Sequence, residues 1–397
     1  MSVDHKVNAG PGLPRPDAHT LERSDRLLAE IREEIVRGSG DIPFDRYMEL
    51  ALYAPGLGYY AAQAEQFGPG GDFVTAPEIS PLFAAALATQ CVAVLGALGG
   101  GDLLELGAGT GRLAADLLGA MADKGRLPDR YYILEPSAAL RARQRDYLSS
   151  CHPRWRDRVV WLDEWPTGLR GVAIANEVLD ALPVRCFRTT PSGIVERRVG
   201  LGASQHLGWC EAEAESELLT VVGRLGEDLL ESLGPGYCSE CHPHVGPWIA
   251  RLAGALREGV ALLIDYGYPR SEYYHWQRRE GTLICHYRHR AHSDPFFLPG
   301  AQDLSASVDF TTVAEAGEAA GMQVLGYATQ AHFVLTNALE AGLTPPQDEL
   351  ARLQLAQEIK KLTLPSEMGD RFQIMALGRG YAQPLRRFAL RDMRFRL

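Results

Sequence analysis

The sequence predicts an α/β fold in which a mostly parallel sheet carries helices on both faces, with an N-terminal helical extension and an inserted α+β segment. Three observations point there. Short apolar runs at Asp102–Leu106, Tyr131–Leu134, Val159–Leu162, Val172–Ala175 and Val260–Ile264 alternate with helical patterns; strands buried on both faces have this appearance. The first run passes through a glycine-rich stretch directly into a helix carrying Leu113, Leu117, Leu118 and Met121. Between about Pro183 and Cys241 the alternation stops. There Phe187, Ile194, Val195 and Val199 suggest antiparallel strands, followed by a helix around Leu218–Leu230.

Taken in order, residues 1–19 hold Gly10, Pro11, Gly12, Pro14 and Pro16 with little that packs, the pattern of a flexible tail. A helical extension is expected over 20–100. Leu21, Leu27, Leu28, Ile31 and Ile35 fall at helical spacing before Gly38, and Phe44, Tyr47, Met48, Ala51 and Leu52 share one side of a helix opening at Pro43. Phe83, Leu87, Cys91, Val94, Leu95 and Leu98 make the clearest amphipathic pattern, with Ser80 as N-cap and Pro81 in the first turn. The sheet core is expected over 101–183 and 242–380, divided between its fourth and fifth strands by the insertion at 184–241. Later elements are a helix after Thr311, another around Glu349–Lys361 and a closing strand near Phe372–Leu377. The tail at 381–397 carries Arg386, Arg387, Arg391, Arg394 and Arg396, and reads as a solvated end or as a grip for an acidic partner.

With 397 residues, 46% hydrophobic and 23% charged, the chain can bury a sizeable core. Its formal net charge of -10 disfavours broad attraction to nucleic acid or anionic lipid. No window holds the roughly 18 consecutive apolar residues of a spanning helix, and no basic segment leading into an apolar run opens the chain. No nucleic-acid partner and no membrane insertion are therefore expected. The 7 cysteines are scattered and odd in number, a distribution that fits reduced thiols and a cytoplasmic location.

The segment that carries chemistry is Leu103-Leu104-Glu105-Leu106-Gly107-Ala108-Gly109-Thr110-Gly111. Glycine tolerates φ > 0 and lets a ligand approach the backbone at the top of a strand. A dinucleotide site wants G-x-G-x-x-G, yet the third glycine of that pattern would fall on Arg112. The spacing here, with Glu105 ahead of Gly107, Gly109 and Gly111, resembles instead the first motif of class I S-adenosylmethionine-dependent methyltransferases. These are Rossmann-like enzymes whose loop packs against the amino-acid part of the cofactor. Tyr131-Tyr132-Ile133-Leu134-Glu135 is a short strand ending in a carboxylate that can accept both ribose hydroxyls; the alternative is that Glu135 caps the helix starting near Ser137. Asp163, past the third strand, is expected near the adenine, or else is an ordinary loop aspartate. Asn176, at the end of the fourth strand, is counted with the cofactor-binding residues.

Further segments narrow the resemblance. Gly71-Asp72-Phe73-Val74-Thr75-Ala76-Pro77-Glu78-Ile79-Ser80 precedes the first helix of the core. Asn176-Glu177-Val178-Leu179-Asp180-Ala181-Leu182-Pro183-Val184 follows the fourth strand and Asp265-Tyr266-Gly267 ends the fifth. Pro299-Gly300 and Asp303-Leu304-Ser305-Ala306-Ser307-Val308-Asp309-Phe310 lie beyond. Together they resemble the MidA family, formerly a domain of unknown function, from roughly Ile42 to Leu377, and Cys285-His286-Tyr287-Arg288-His289-Arg290-Ala291-His292 resembles its bacterial branch. The resemblance implies a class I methyltransferase acting on arginine of a protein partner, a respiratory complex I subunit or its bacterial homologue. An arginine nucleophile is cationic and calls for carboxylates that orient the guanidinium. Glu78, Glu177 and Asp180 are the candidate acidic clamp, the last two just beyond the carboxyl end of a strand, where open α/β sheets bind ligands. Alternatively Glu78 and Glu177 cap helices and Asp180 pairs with Arg185.

Two patterns invite metal. Cys238-Ser239-Glu240-Cys241-His242 spells C-x-x-C-H, and His286, His289 and His292 fall three apart. Haem attachment requires export, zinc requires further ligands, and Pro295 with its aromatic neighbours argues that the histidines lie in a loop, so no metal is expected. The two thiols are also read as part of a loop, and Gly378, Arg379 and Gly380 as a turn. Two other functions remain open: a small-molecule methyltransferase of the same fold, and a cofactor-binding assembly factor with little turnover. The insertion favours a large acceptor.

Overall fold

The computed structural model describes residues 13–62, 75–340, 346–385 and 388–397. A helix at Ala18–Arg37 is followed by strand β1 (Asp41–Pro43), a helix at Phe44–Tyr53 and, after a short Ala76–Ile79 turn of helix, by Pro81–Leu98. Then come β2 (Asp102–Leu106), the Arg112–Asp123 helix, β3 (Tyr131–Leu134), the Ala138–Cys151 helix, β4 (Val159–Leu162) and β5 (Leu169–Asn176). The insertion holds β6 (Arg185–Thr190), β7 (Gly193–Leu201), β8 (Leu207–Glu213) and β9 (Cys238–Cys241). The Val245–Ala255 helix leads into β10 (Leu256–Tyr268); β11 (Ile284–Tyr287), β12 (Arg290–His292), β13 (Asp303–Ser305), β14 (Val308–Asp309), β15 (Gln323–Thr329) and β16 (Phe372–Arg379) follow.

The main sheet has the order β15-β16-β10-β5-β2-β3-β4, with β14 beside β10. β4, β3, β2, β5 and β10 are parallel, and β16 runs antiparallel between β10 and β15. The chain winds outward from β2 to β4 and then returns to β5, so the loops after β2 and β5 part company. That divergence opens a crevice at the carboxyl edge, where α/β sheets hold ligands. One face of the sheet is covered by Leu87, Cys91, Leu117 and Leu118 from the Pro81–Leu98 and Arg112–Asp123 helices, and the other by Ile249, Leu252, Phe310 and Val313.

The five expected strands are all present, two of them longer than their apolar cores, but packing changes several readings. The Pro81–Leu98 helix is long and apolar enough by composition to cross a membrane. Rather than showing one apolar stripe, it is enclosed on most sides, and the Nε2 of its buried Gln90 donates to Asn337 Oδ1 at 2.6 Å. The expected single helix near Leu218–Leu230 is two, Ser216–Gly223 and Glu227–Leu233, separated at Gly226, whose φ is 82°. Cys238 and Cys241 lie in β9 and not in a loop, and the histidine run forms the β11–β12 hairpin. Gly378 and Arg379 belong to β16, leaving only Gly380 to turn.

The described parts of both terminal segments are better anchored than their compositions suggest. Asp17 caps the first helix and pairs with Arg288 at 2.7 Å; residues 1–12 lie outside the described residues. Near the C-terminus Phe388 and Met393 are buried, and the Met393 N–H donates to the Tyr327 carbonyl at 2.7 Å. Arg386 and Arg387 lie outside the described residues.

The N-terminal extension and the insertion, far apart in sequence, share one sheet. β1 pairs antiparallel with β7 in the order β1-β7-β6-β9, and β8 flanks β7. Phe44, Tyr47 and Met48 pack against Val184, Cys186 and Val199 beneath it. Buried Arg185 is held by Glu196 at 2.5 Å and Glu215 at 2.9 Å, so the Asp180–Arg185 pair is not made.

Candidate active site

A cavity of about 990 Å³ opens at the divergence of β2 and β5. Its walls include Glu78, Glu105, Gly107, Gly109, Glu135, Asp163, Asn176 and Glu177. Two of the expected residues stand back from it. Gly111, with φ 83°, serves as N-cap of the Arg112–Asp123 helix, and Asp180 is buried where it accepts the Tyr266 hydroxyl at 2.5 Å. Of the resemblance segment at 71–80, residues Gly71, Asp72, Phe73 and Val74 lie outside the described residues.

The wall after β2 and β3 is closely tied. Gly107 and Gly109 have φ of 69° and 49°, backbone that L side chains adopt at a cost. A Cβ on Gly107 would stand 3.2 Å from Val178 Cγ2. Glu105 is buried and accepts the Tyr131 hydroxyl at 2.7 Å; loss of solvation pushes its carboxyl up to about 7. Glu135 accepts the Ser137 N–H at 3.1 Å on one oxygen and the Gln144 amide at 3.2 Å on the other. Burial raises its pKa, and these donors oppose the rise. The helix-capping alternative for Glu135 is thus met by Ser137 itself, whose side chain caps the Ala138–Cys151 helix.

Gln144 is a residue the sequence reading missed. Fully buried, its Nε2 donates to the Gly109 carbonyl at 2.9 Å as well as to Glu135, while its Oε1 accepts the Trp161 indole N–H at 2.9 Å. One amide therefore links the glycine loop, the carboxylate after β3 and strand β4. A glutamine in the middle of an otherwise arginine-rich helix carries no local signal of this. Asp163 is exposed and pairs with Arg141, which also donates to the Glu135 carbonyl; this pairing lowers the Asp163 pKa.

The wall after β5 differs. Glu177 has φ 54°, the left-handed region, at the point where the chain leaves the strand, and its N–H donates to the Ile264 carbonyl at 2.8 Å. Non-glycine residues held there mark strain that the surroundings sustain. Its carboxyl accepts the Asn176 amide at 3.2 Å. Desolvation first, and then the neighbouring Asp180, push it up to about 8. Asp265 caps the following turn by accepting the Leu179 and Asp180 N–H groups at 2.9 and 3.2 Å, and burial raises the pKa of both Asp180 and Asp265. Among the described residues no Lys or Arg side chain pairs with Glu177, Asp180 or Asp265, and Asn176 Oδ1 and Asp180 Oδ1 are buried without a hydrogen-bond partner. Tyr53 and Tyr60, stacked at 5.6 Å, complete this side, with Tyr60 donating to Asp303 at 2.8 Å and Tyr53 to the Ala181 carbonyl at 2.8 Å. Glu78 ties the Ala76–Ile79 helix to the glycine loop by accepting the Thr110 hydroxyl.

The cavity fits S-adenosylmethionine on its own chemistry. Beyond its bonds from Ser137 and Gln144, the Glu135 carboxylate keeps lone-pair capacity for the ribose hydroxyls. The glycine loop leaves room beside the backbone for the amino-acid part, and Asn176 Oδ1 awaits a donor.

Comparison with known proteins agrees. Residues 86–328 match the model of a family of S-adenosyl-L-methionine-dependent methyltransferases. A Burkholderia thailandensis protein described as a methyl transferase, solved with S-adenosyl-homocysteine bound, is 42% identical, with a TM-score of 0.91 over 97% of this chain and 100% of that one. The mitochondrial protein arginine methyltransferase NDUFAF7 of Danio rerio is 29% identical over 88% of this chain and 86% of its own. Its Drosophila melanogaster homologue is 28% identical over 92% and 88%. A family match across most of the sheet, a near-complete structural likeness and a cavity suited to the cofactor converge on one assignment: the chain belongs to this family of S-adenosyl-L-methionine-dependent methyltransferases, with the class I fold.

Proposed function

We propose that the chain methylates arginine side chains of a protein acceptor. The observation that carries this reading is the wall after β5, where Glu177 stands with Asp180 and Asp265 behind it and no cation among the described residues answers them. Gathering carboxylates away from water is costly unless a positive group arrives to be held. A guanidinium meets that need, since its planar fork matches carboxylate geometry. The names of the NDUFAF7 relatives support the same acceptor chemistry, and the family resemblance points to a respiratory complex I subunit or its bacterial counterpart.

When bound, S-adenosylmethionine supplies a methyl group on a sulfonium, open to in-line displacement. What the protein adds is position and dryness. Glu177 holds the guanidinium nitrogen toward the cavity, and the cation in turn draws its carboxyl back to the ionised form. Asp180, fixed by Tyr266, adds to the negative field from behind, and Tyr53 and Tyr60 wall the acceptor from water. Glu78, also in the cavity wall, holds the glycine loop through Thr110. The segments at 1–19, 20–100, 184–241 and 381–397 belong to this proposal as accessory parts around the catalytic core, and so does the cytoplasmic location.

The test is incubation of the purified chain with methyl-labelled S-adenosylmethionine and a lysate of cells lacking it, followed by acid hydrolysis of the labelled protein. Label in methylarginine supports the reading. Label confined to small molecules, or to another amino acid, overturns it.

A further inference from the structure

Beside the cofactor cavity lies a second one, of about 640 Å³. The two share Tyr53, Leu182, Trp248 and Arg251, so they adjoin, yet none of the glycine loop, Glu135 or Asp163 lines the second. It is bounded by three separate parts of the chain: the Phe44–Tyr53 helix of the extension, the loop after β5, and the start of the Val245–Ala255 helix just past the insertion. The Tyr53 hydroxyl, donating to the Ala181 carbonyl at 2.8 Å, pins the first of these to the second.

We propose that this second cavity is the groove for the stretch of acceptor protein that flanks the methylated arginine. The inference rests on the protein-arginine reading above and names where such an acceptor lies. Leu182, Pro183, Pro247 and Trp248 give the groove an apolar and aromatic lining, the kind of surface on which an extended peptide packs. Its charged groups are unevenly committed. Arg46 is occupied by Glu34 at 2.5 Å and Glu49 at 2.6 Å. Glu34, Glu49 and Asp45 therefore outnumber Arg46 along one bank, with His244 3.3 Å from Asp45, while Arg251 stands at the junction with the cofactor cavity. A segment with a basic residue near its target arginine suits that arrangement. A small-molecule acceptor would have no use for a groove on the far side of Tyr53.

The test uses arginine-centred peptides of about fifteen residues carrying a photo-crosslinker, with lysine-rich or glutamate-rich flanks. They are added to the full chain in the presence of S-adenosyl-homocysteine, and to the variants Glu49→Lys and Pro247→Glu. Labelling should map to the Phe44–Tyr53 and Val245–Ala255 helices. Affinity for the lysine-flanked peptide should fall about tenfold in Glu49→Lys, with S-adenosyl-homocysteine affinity unchanged. Labelling elsewhere, no labelling, or affinity unchanged within about twofold in both variants overturns the groove. Methyl transfer to the same peptides reports separately on the arginine reading. Groove labelling without methylarginine overturns that reading and leaves the groove standing, whereas methylarginine with no groove labelling does the reverse.

Discussion

Across the cofactor cavity, the wall after β2 and β3 and the wall after β5 treat their polar groups in opposite ways. On the first, Glu105 has Tyr131, Glu135 has Ser137 and Gln144, and Gln144 spends its whole amide on Gly109, Glu135 and Trp161. On the second, Glu177 is held at a left-handed φ and pushed up to about 8, and two neighbouring oxygens have no partner among the described residues. A site complete before its ligand arrives binds tightly because little has to be ordered. One that leaves carboxylates desolvated instead stores free energy that a cation can release on arrival. On the proposed reading the first wall retains the cofactor and the second, Asn176 apart, receives the acceptor.

The contrast can be broken from the first side most forcefully at Gly109. Its φ of 49° and its place in the wall mean that Gly109→Val strains the loop and fills space beside the ligand. Calorimetry should show S-adenosyl-homocysteine affinity falling at least roughly a hundredfold, about 2.7 kcal/mol. Retained affinity would remove the loop from the site. Glu135→Ala should cost about 2 kcal/mol, roughly thirtyfold in affinity, through lost charge-assisted bonds. A change within about twofold would make Glu135 a structural carboxylate only. Gln144→Leu keeps the volume and loses three hydrogen bonds, so affinity should drop about tenfold. Gln144→Glu should do no better, since it still accepts from Trp161 but sets a carboxylate against the Glu135 carboxylate and the Gly109 carbonyl. If both variants bind as the unaltered chain does, Gln144 supports the helix and not the site.

The smallest expected effect concerns the second wall and pH. The Glu177 carboxyl titrates at about 8 when folded, above the ordinary glutamate value it has when unfolded. Between those values the folded chain keeps a proton that the unfolded chain has released. The Glu177 contribution to stability is therefore intact in acid and is lost as pH rises toward 8. Melting temperatures of the ligand-free protein and of Glu177→Gln should nearly agree at about pH 5, with the variant melting progressively higher as pH rises to about 8. Parallel curves across that range would show that Glu177 is already ionised, and the contrast between the walls would soften.

How much of this was legible in the sequence depended on distance along the chain. The parallel strands, the glycine loop and Glu135 were readable because strand, loop and helix follow one another within a few residues and each carries its own pattern. β1 was not, because three residues have no period; only its pairing with β7 makes it a strand. The Pro81–Leu98 helix was misread as one-sided because apolar residues show which positions can be buried, not how many neighbours bury them. At the site, Glu177 was found as a carboxylate after a strand, but its φ and raised pKa come from elements far away in sequence. Gln144, Tyr53 and the second cavity were missed for the same reason. Each gains its meaning from partners that only the fold brings together.

The division between the walls is tested most directly by reading two quantities on two variants. Single-turnover transfer of labelled methyl to an arginine-centred peptide, at saturating cofactor, is measured beside cofactor affinity for Glu135→Ala and Glu177→Gln. The expected result is crossed. Glu135→Ala loses affinity yet transfers at nearly the normal rate once saturated, whereas Glu177→Gln binds cofactor normally and transfers at least roughly a hundredfold more slowly, about 2.7 kcal/mol in barrier. If Glu177→Gln instead loses the cofactor, or transfers as fast as the unaltered chain, the wall after β5 is not where the acceptor is held.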